Sequence, residues 1–267
     1  MIRLLRRSAA QARYLLIGSF VLLFGFQLII VGQAEEIQRT QAFGRVAELM
    51  PAFLQRGLGS RAMLLATFRG TVAFGYFHPV VCLIVAVMAM YFTTEPAHEI
   101  ESGLVDLELS RAVPRSRLLT RSVLLSEVAV ATAAALMGAG TLLGARLFNA
   151  GGMDLPTLGV RARLLANLFA VGSCFGGYGL LIAAWSRRWM TAFTTAALTA
   201  VVLYLVDFLA IGWRAMRVAA WLSPFHYYKA LSIIAGDAPV GRDIAILFGA
   251  GSVFACAAYW RFGRRDL

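Results

Sequence analysis

The sequence is poor in charge and nearly without lysine. Of its 267 residues only 15% are charged, whereas soluble domains carry about 25%, and 60% are hydrophobic, with a mean hydropathy of +0.72. This composition excludes an ordinary soluble domain. It also excludes a disordered chain, because disordered chains are poor in apolar residues. The chain therefore uses lipid as its solvent.

The scarcity of lysine excludes one class of enzyme. Lys229 is the only lysine among 25 basic residues, and it stands in Tyr-Tyr-Lys-Ala-Leu. A Walker-type phosphate loop needs Gly-Lys followed by Ser or Thr. We therefore expect no Walker-type ATPase site in this chain. The arginines are scattered along the chain instead of forming one basic face, so we expect no nucleic-acid partner.

Cysteine is also scarce. Cys82, Cys174 and Cys256 fall in three different apolar stretches, and no Cys-x-x-Cys pair occurs. Buried thiols that behave as small hydrophobic side chains explain this distribution better than a metal site does.

Long apolar stretches dominate what remains. A membrane helix needs about 20 predominantly apolar residues. The stretches that qualify are 14–32, 70–94, 122–145, 164–186, 189–213 and 244–260. Tryptophans stand at or just beyond the ends of these stretches, as expected at a membrane interface. The sequence predicts an all-α, polytopic membrane protein with six transmembrane helices in a single transmembrane domain, residues 1–267.

Six spans place both termini on one side of the membrane. The arginines close to the ends of the spans favour a cytoplasmic location for both termini. The expected location of the protein is a bacterial-type cell (inner) membrane. The first stretch reads as an uncleaved signal-anchor helix, with a cleaved signal peptide as the alternative. Residues 1–13 then form a cytoplasmic interface helix, and residues 33–69 form an extracytoplasmic loop with one or two surface helices.

Small residues recur within the predicted spans. Gly140 and Gly144 form one small-xxx-small pair, and Gly172 and Gly176 form another. Such pairs allow helices in lipid to pack closely. They indicate either packing inside the bundle or a seam between two copies.

The most unusual segment lies between the second and third spans. Acidic residues come first, from Glu95 to Glu108, and arginines follow, from Arg111 to Arg121. Pro96 and Pro114 bracket residues that recur at helical spacing. The pattern predicts a short amphipathic cytoplasmic helix within a coupling region at 95–117. It is either a plain connecting helix or a docking element for a basic partner.

An ordered set of motifs resembles the membrane subunits of ABC-2 type ABC transporters. The motifs are Glu99-x-Glu101-x-Gly103, Leu107-Glu108-Leu109, Pro114-x-Ser116-Arg117, Leu222-Ser223-Pro224-Phe225-x-Tyr227-Tyr228 and the ending Phe262-Gly263-Arg264-Arg265-Asp266-Leu267. The sequence departs from the family at Gly103-Leu104, where Gly-Thr is common, and at Thr120-Arg121, where Gly-Lys is common.

This resemblance implies a permease subunit that moves substrate, in the export direction, with energy from another chain. It implies that this chain is a transport subunit and not an enzyme, and that it binds no cofactor itself. The implied partners are a separate ATP-binding subunit, which holds ATP and Mg²⁺, and a second permease copy or a sister permease that completes a dimer in the lipid bilayer. The family's coupling region docks on the ATP-binding subunit. The residues expected at that coupling face are Glu99, Glu101, Gly103, Asp106 and Glu108.

Ionisable residues inside a membrane are candidates for function. Glu127 and Asp207 lie in the third and fifth stretches, and His78 precedes Pro79, which predicts a kink in the second span. They are candidates for a pathway or a gate, or else boundary charges and an ordinary kink. Two other functions stay open: a stand-alone ion-coupled carrier, which favours internal repeats with broken helices, and an intramembrane enzyme, which needs clustered polar groups at membrane depth.

Overall fold

The computed structural model describes residues 2–40, 67–103, 114–148, 155–236 and 239–264. This part of the chain is almost wholly helical and contains no strand. The α-helices are α1 Ile2–Gln11, α2 Arg13–Thr40, α3 Phe68–Phe77, α4 Pro79–Glu101, α5 Arg115–Leu147, α6 Leu158–Trp185, α7 Trp189–Ala210, α8 Arg217–Ala220, α9 Ala230–Ala235 and α10 Val240–Gly263. Short 3-10 turns occupy Arg214–Met216 and Pro224–Tyr227.

Six helical spans are long and apolar enough to cross a membrane within the described ranges. Span one is α2, span two is α3 followed by α4, and spans three, four, five and six are α5, α6, α7 and α10. The prediction of an all-α polytopic membrane protein with six transmembrane helices is confirmed.

Several spans extend beyond the predicted stretches because polar residues continue the helix past the apolar window. Span one runs to Thr40, so the first eight residues of the predicted 33–69 loop are helical. The interior of that loop, 41–66, lies outside the described residues. At the other end of the chain, α1 occupies most of the predicted interface helix at 1–13.

Spans two, three and four form the centre of the bundle. In the most apolar window of span four 61% of residues are buried, against 17% in spans one and five. A helix in lipid needs no buried apolar face, so the outer spans keep large side chains on their surfaces, such as Ile17, Leu198 and Val202. Their composition alone would not have distinguished them from the inner spans.

Glycines allow the close contacts around span four. A Cβ on Gly177 would overlap the carbonyl oxygen of Gly251 in span six, and a Cβ on Gly172 would lie 2.6 Å from Val130 of span three. In the same way Gly144 of span three packs on Val31 of span one, at 2.9 Å. These glycines therefore serve packing inside the bundle, the first of the two alternatives.

Span two is interrupted where the sequence predicted a kink. The α3 helix ends at Phe77, and α4 begins at Pro79. Between them His78 is extended, with φ −55° and ψ 138°, and its Nδ1 accepts a hydrogen bond from Val80 N at 3.3 Å. The residue before a proline is disfavoured in the α conformation, which explains the break.

Pro96 behaves differently from Pro79. It was expected to bound a separate coupling helix, but α4 continues through it to Glu101. Membrane helices tolerate an internal proline where neighbouring groups satisfy the freed backbone. The remainder of the predicted coupling helix, 104–113, lies outside the described residues.

The connection between spans five and six folds back into the bundle. The phenol of Tyr228 is buried and donates to the carbonyl oxygens of Tyr76 (3.1 Å) and Leu164 (3.3 Å). The ring of Phe225 lies 5.0 Å from that of Phe175. Phe175 is eleven residues beyond Leu164, or about 16 Å along span four. We call residues 223–228 the re-entrant segment.

Several span ends meet at one end of the bundle. Glu101 at the end of span two accepts a hydrogen bond from the start of span five, Thr120 of span three bonds to Tyr259 of span six at 2.8 Å, and Arg261 lies over the ring of Trp185. We call this end the termini face, since α1 and the end of span six also lie there, and the other end the opposite face.

Candidate functional site: the termini face of spans two and three

A buried arginine joins spans two and three. Arg121 is 1% exposed, and its Nη1 lies 2.8 Å from Oε1 of Glu99. Its Nη2 lies 3.7 Å from Oε2 of Glu95. Both glutamates are largely buried, so the three charges form one cluster between the helices. We call Glu95, Glu99 and Arg121 the buried triad.

Helix geometry brings the buried triad together. Glu95 and Glu99 are four residues apart and therefore share one face of α4. Arg121 lies in the second turn of α5, which packs beside α4. The triad contains two carboxyl groups and one guanidinium, so carboxyl groups outnumber cations among these three side chains. In a low-dielectric environment a carboxylate acts strongly on nearby cations.

The predicted coupling residues separate into three groups. Glu99 is buried and paired with Arg121, so it faces the interior of the protein. Glu101 and Gly103 are exposed, and Gly103 has φ +69°, a left-handed conformation that suits glycine. Asp106 and Glu108 lie outside the described residues.

Glu101 connects the end of span two to the start of span five. Its Oε2 accepts a hydrogen bond from the backbone N–H of Trp189 at 2.8 Å. Trp189 is the first residue of α7, where backbone N–H groups lack partners within the helix. The carboxylate therefore supplies a cap that the helix dipole favours.

A pocket of about 250 Å³ opens beside the buried triad. Its lining residues come from α1, span two and span five: Ser8, Gln11, Tyr91, Glu95, His98 and Trp189. The sequence pattern predicts the acidic run on a surface helix and gives no indication of this pocket. The signal that could have found it is the four-residue spacing of Tyr91, Glu95 and Glu99, which aligns an aromatic ring with two acids.

Glu127 reaches the neighbouring helix. The hydroxyl of Ser173 in span four donates to Oε2 of Glu127 at 2.6 Å. This hydrogen bond satisfies one oxygen of a carboxyl group that lies within a membrane span. The contact fits a structural bond between spans three and four, and the role of Glu127 in a pathway or gate stays a prediction.

Asp207 lies close to His226 of the connection between spans five and six. Oδ1 of Asp207 is 3.3 Å from Nδ1 of His226, and both side chains are partly exposed. The pair joins span five to the re-entrant segment. His78, the third candidate, stands at the break in span two, where its ring contacts Phe26 and Phe74 and accepts from Val80 N. No hydrogen bond or ion pair among the described residues joins His78, Glu127 and Asp207 to one another.

A buried polar network was missed by the sequence analysis. Gln27 of span one is fully buried, and its Nε2 donates to Val72 O (3.1 Å) and to Thr141 Oγ1 (3.0 Å). Thr141 in turn bonds to the phenol of Tyr76 at 2.5 Å. A single glutamine in an apolar run gives little signal, because its partners come from distant parts of the chain.

The described residues hold no cluster of His, Cys, Asp and Glu that could bind a metal ion. Comparison of the chain with family models, curated proteins and solved structures finds no match. The motifs and the geometry of the described residues therefore remain as the indications of function.

Proposed function

We propose that this chain is the permease subunit of an ABC-2 type ABC transporter. In this proposal it moves substrate, in the export direction, across a bacterial-type cell membrane, and a separate subunit binds and hydrolyses ATP with Mg²⁺. Six spans, the absence of a Walker lysine and the ordered motifs around the coupling region support it. A second copy or a sister permease completes the dimer, and both termini are cytoplasmic.

The observation that carries the proposal is the connection of three spans at one end of the bundle. The buried triad joins span two to span three, and Glu101 joins span two to span five. A force applied between residues 101 and 115 therefore acts on three helices at once. Such an arrangement suits a segment that receives movement from a partner subunit.

The geometry supports a division of roles within the proposed coupling region. Glu101 and Gly103 are exposed and available to a partner. Glu99 acts through Arg121 as a positioning residue, since its carboxylate points into the bundle. Asp106 and Glu108 stay assigned to the partner surface on the resemblance alone.

Reversal of charge at Glu101 tests the proposal. Glu101→Arg should leave the permease folded and bound to its ATP-binding partner, but remove the stimulation of ATPase activity by substrate and reduce transport at least tenfold. The measurements are ATPase activity and transport in proteoliposomes that contain both subunits. Glu36→Arg, at the exposed opposite end of span one, is the matched control and should behave as wild type.

Two results would contradict the proposal. Normal transport by the Glu101→Arg variant would show that the partner does not act at this position. Transport by the purified chain alone, without ATP, would identify a stand-alone ion-coupled carrier. Co-purification of the tagged chain with an ATP-binding subunit encoded beside it is the simplest supporting result.

A further inference from the structure

Two pockets follow one another along span two. The first is the pocket beside the buried triad. The second, of about 210 Å³, is apolar and is lined by Leu15, Ser19, Leu83, Ile84, Val87 and Met88. Both pockets lie between the first helices of the chain and span two. One has a polar, aromatic lining and the other a hydrocarbon lining.

Helical spacing aligns these two pockets along the same helix faces, and we call the aligned pair the groove. On span two the lining positions 84, 87, 88, 91, 95 and 98 recur every three or four residues and so share one face. Positions 8, 11, 15 and 19 do the same on α1 and span one. Hydrogen bonds from Ala12 N to Ser8 O and from Leu16 N to Ala12 O continue the helical pattern across the junction between α1 and span one. The groove extends from the termini face towards the middle of the bundle.

The polar end of the groove favours a cation. Arg121 makes its short contact with Glu99, at 2.8 Å, and lies 3.7 Å from Glu95. Glu95 lines the groove together with the uncharged Ser8 and with His98. The carboxyl group of Glu95, which has the longer contact with Arg121, therefore faces the groove. A bound cation would pair with it.

The aromatic side chains favour an organic cation. The rings of Tyr91 and Trp189 lie 5.9 Å apart at an interplanar angle of 88°, which makes a right-angled corner beside Glu95. Phe193 stacks on Trp189 at 5.8 Å and holds its ring in place. Aromatic faces attract cations, and corners of this kind recognise ammonium groups that carry methyl substituents.

We propose that this groove binds a cationic amphiphile with a single hydrocarbon chain. The ammonium head lies among Tyr91, Glu95 and Trp189, and the chain follows the apolar pocket towards Ile84. From Glu95 to Ile84 is eleven residues, or about 16 Å. That distance matches half the hydrocarbon thickness of a bilayer, about 15 Å. The polar pocket is smaller than drug-sized sites, which start at about 300 Å³, and suits a head group.

The charge of the site separates this ligand from a zwitterionic lipid. The head group of such a lipid adds a phosphate next to its ammonium, and the two carboxylates of the buried triad repel that phosphate. The groove therefore selects a net positive charge. The inference goes beyond the proposed function, because binding requires neither ATP nor a second subunit.

Equilibrium binding to the full chain tests the inference. Tritiated dodecyltrimethylammonium is titrated onto the purified protein in lipid nanodiscs, and dodecylphosphocholine and dodecanoate serve as zwitterionic and anionic competitors. We expect saturable binding that the two competitors displace at least tenfold more weakly than unlabelled ligand. Equal displacement by dodecylphosphocholine would identify a lipid site, and the absence of saturable binding would overturn the inference.

Substitutions locate the head group. Glu95→Gln and Trp189→Leu should each weaken binding by about tenfold or more, since each removes an electrostatic attraction to the cation. The matched controls Glu36→Gln and Trp260→Leu lie outside the groove and should bind as wild type. If Glu95→Gln does not fold, Tyr91→Leu and Trp189→Leu decide the result. Unchanged affinity in the folded groove variants would overturn the inference.

A photoreactive ligand locates the hydrocarbon chain. A dodecyltrimethylammonium analogue with a diazirine at the chain end should label residues 83–88 of span two, as read by mass spectrometry. Labelling confined to other spans would contradict the inference. Because ATP and the partner subunit are absent, a negative result leaves the proposed coupling function standing, and an uncoupled Glu101→Arg phenotype does not depend on ligand binding.

Discussion

Arg121 is the residue on which the termini face depends. Its side chain is almost fully buried, although a guanidinium is among the groups that are most costly to remove from water. The two carboxylates of the buried triad make this burial possible. A buried ion pair is weak support for stability in itself, but breaking one leaves an uncompensated charge in the interior. Arg121 therefore fixes the relative positions of spans two and three.

Removal of this arginine should strongly destabilise the protein. Arg121→Met leaves two carboxylates without their cation, and we expect a loss of about 3–5 kcal/mol in the free energy of unfolding. The measurement is chemical unfolding of the purified chain in detergent. Arg188→Met, which removes an exposed arginine, should change stability little. Adding Glu99→Gln to Arg121→Met should recover part of the loss, and the absence of any recovery would argue against the pair.

At the scale of helices, the bundle is organised around span four. Its glycines face spans two, three and six. Because glycine has no side chain, the neighbouring helices can approach the backbone of span four directly. In lipid, helices associate through such packing, because no hydrophobic effect drives them together. Gly249 of span six has no such role, because it is exposed and a Cβ there would meet nothing within 4 Å.

The contact between spans four and six can be tested with one methyl group. Gly177→Ala places a Cβ against the carbonyl oxygen of Gly251, so the two helices must separate, at a cost of about 1–3 kcal/mol. Gly249→Ala should be neutral or slightly stabilising, because alanine favours a helix. Thermal unfolding monitored by size-exclusion chromatography compares the two variants. Equal stability of both would show that spans four and six do not pack as described.

The sequence predicted the elements of the fold better than their ends. The length of an apolar stretch identifies a span but not where its helix ends. Polar residues continue the helix beyond that stretch when their side chains find hydrogen-bond partners, as Glu101 does with Trp189 N. The break at His78 was predictable, since a proline restricts the residue before it. The continuation through Pro96 was not, because it depends on packing around span two. The buried triad was also out of reach, since local patterns do not show which distant charges pair.

At the scale of the molecule, the chain is a multi-pass membrane protein in which spans two, three and four are more buried than spans one, five and six. The outer spans expose apolar side chains to lipid or to another copy. Six spans in alternating directions place the starts of spans one, three and five, the ends of spans two, four and six and residues 186–188 at the termini face. The ends of spans one, three and five then lie at the opposite face.

Fusion proteins test this topology and the proposed orientation. A fluorescent protein that folds only in the cytoplasm should fluoresce when fused after Leu267. Alkaline phosphatase, which is active only outside the cytoplasm, should be active when it is inserted at residues 149–154 and inactive after Leu267. The reverse pattern would place the termini outside. Equal activity at both positions would contradict the count of six spans.

The re-entrant segment has a consequence for biosynthesis. Its hydrogen-bond and ring partners Tyr76, Leu164 and Phe175 all precede it in the chain, so they enter the membrane earlier. The connection that contains this segment must first cross the bilayer, because span five ends and span six begins at the opposite face. Only then can the segment dock. It therefore enters the bundle from the opposite face, as a late step that follows insertion. A chain that stops before Ser223 would hold spans one to five but lack the Phe225 ring that lies against Phe175 and the Tyr228 phenol that bonds to Leu164 O, so this part of the bundle would stay unfilled.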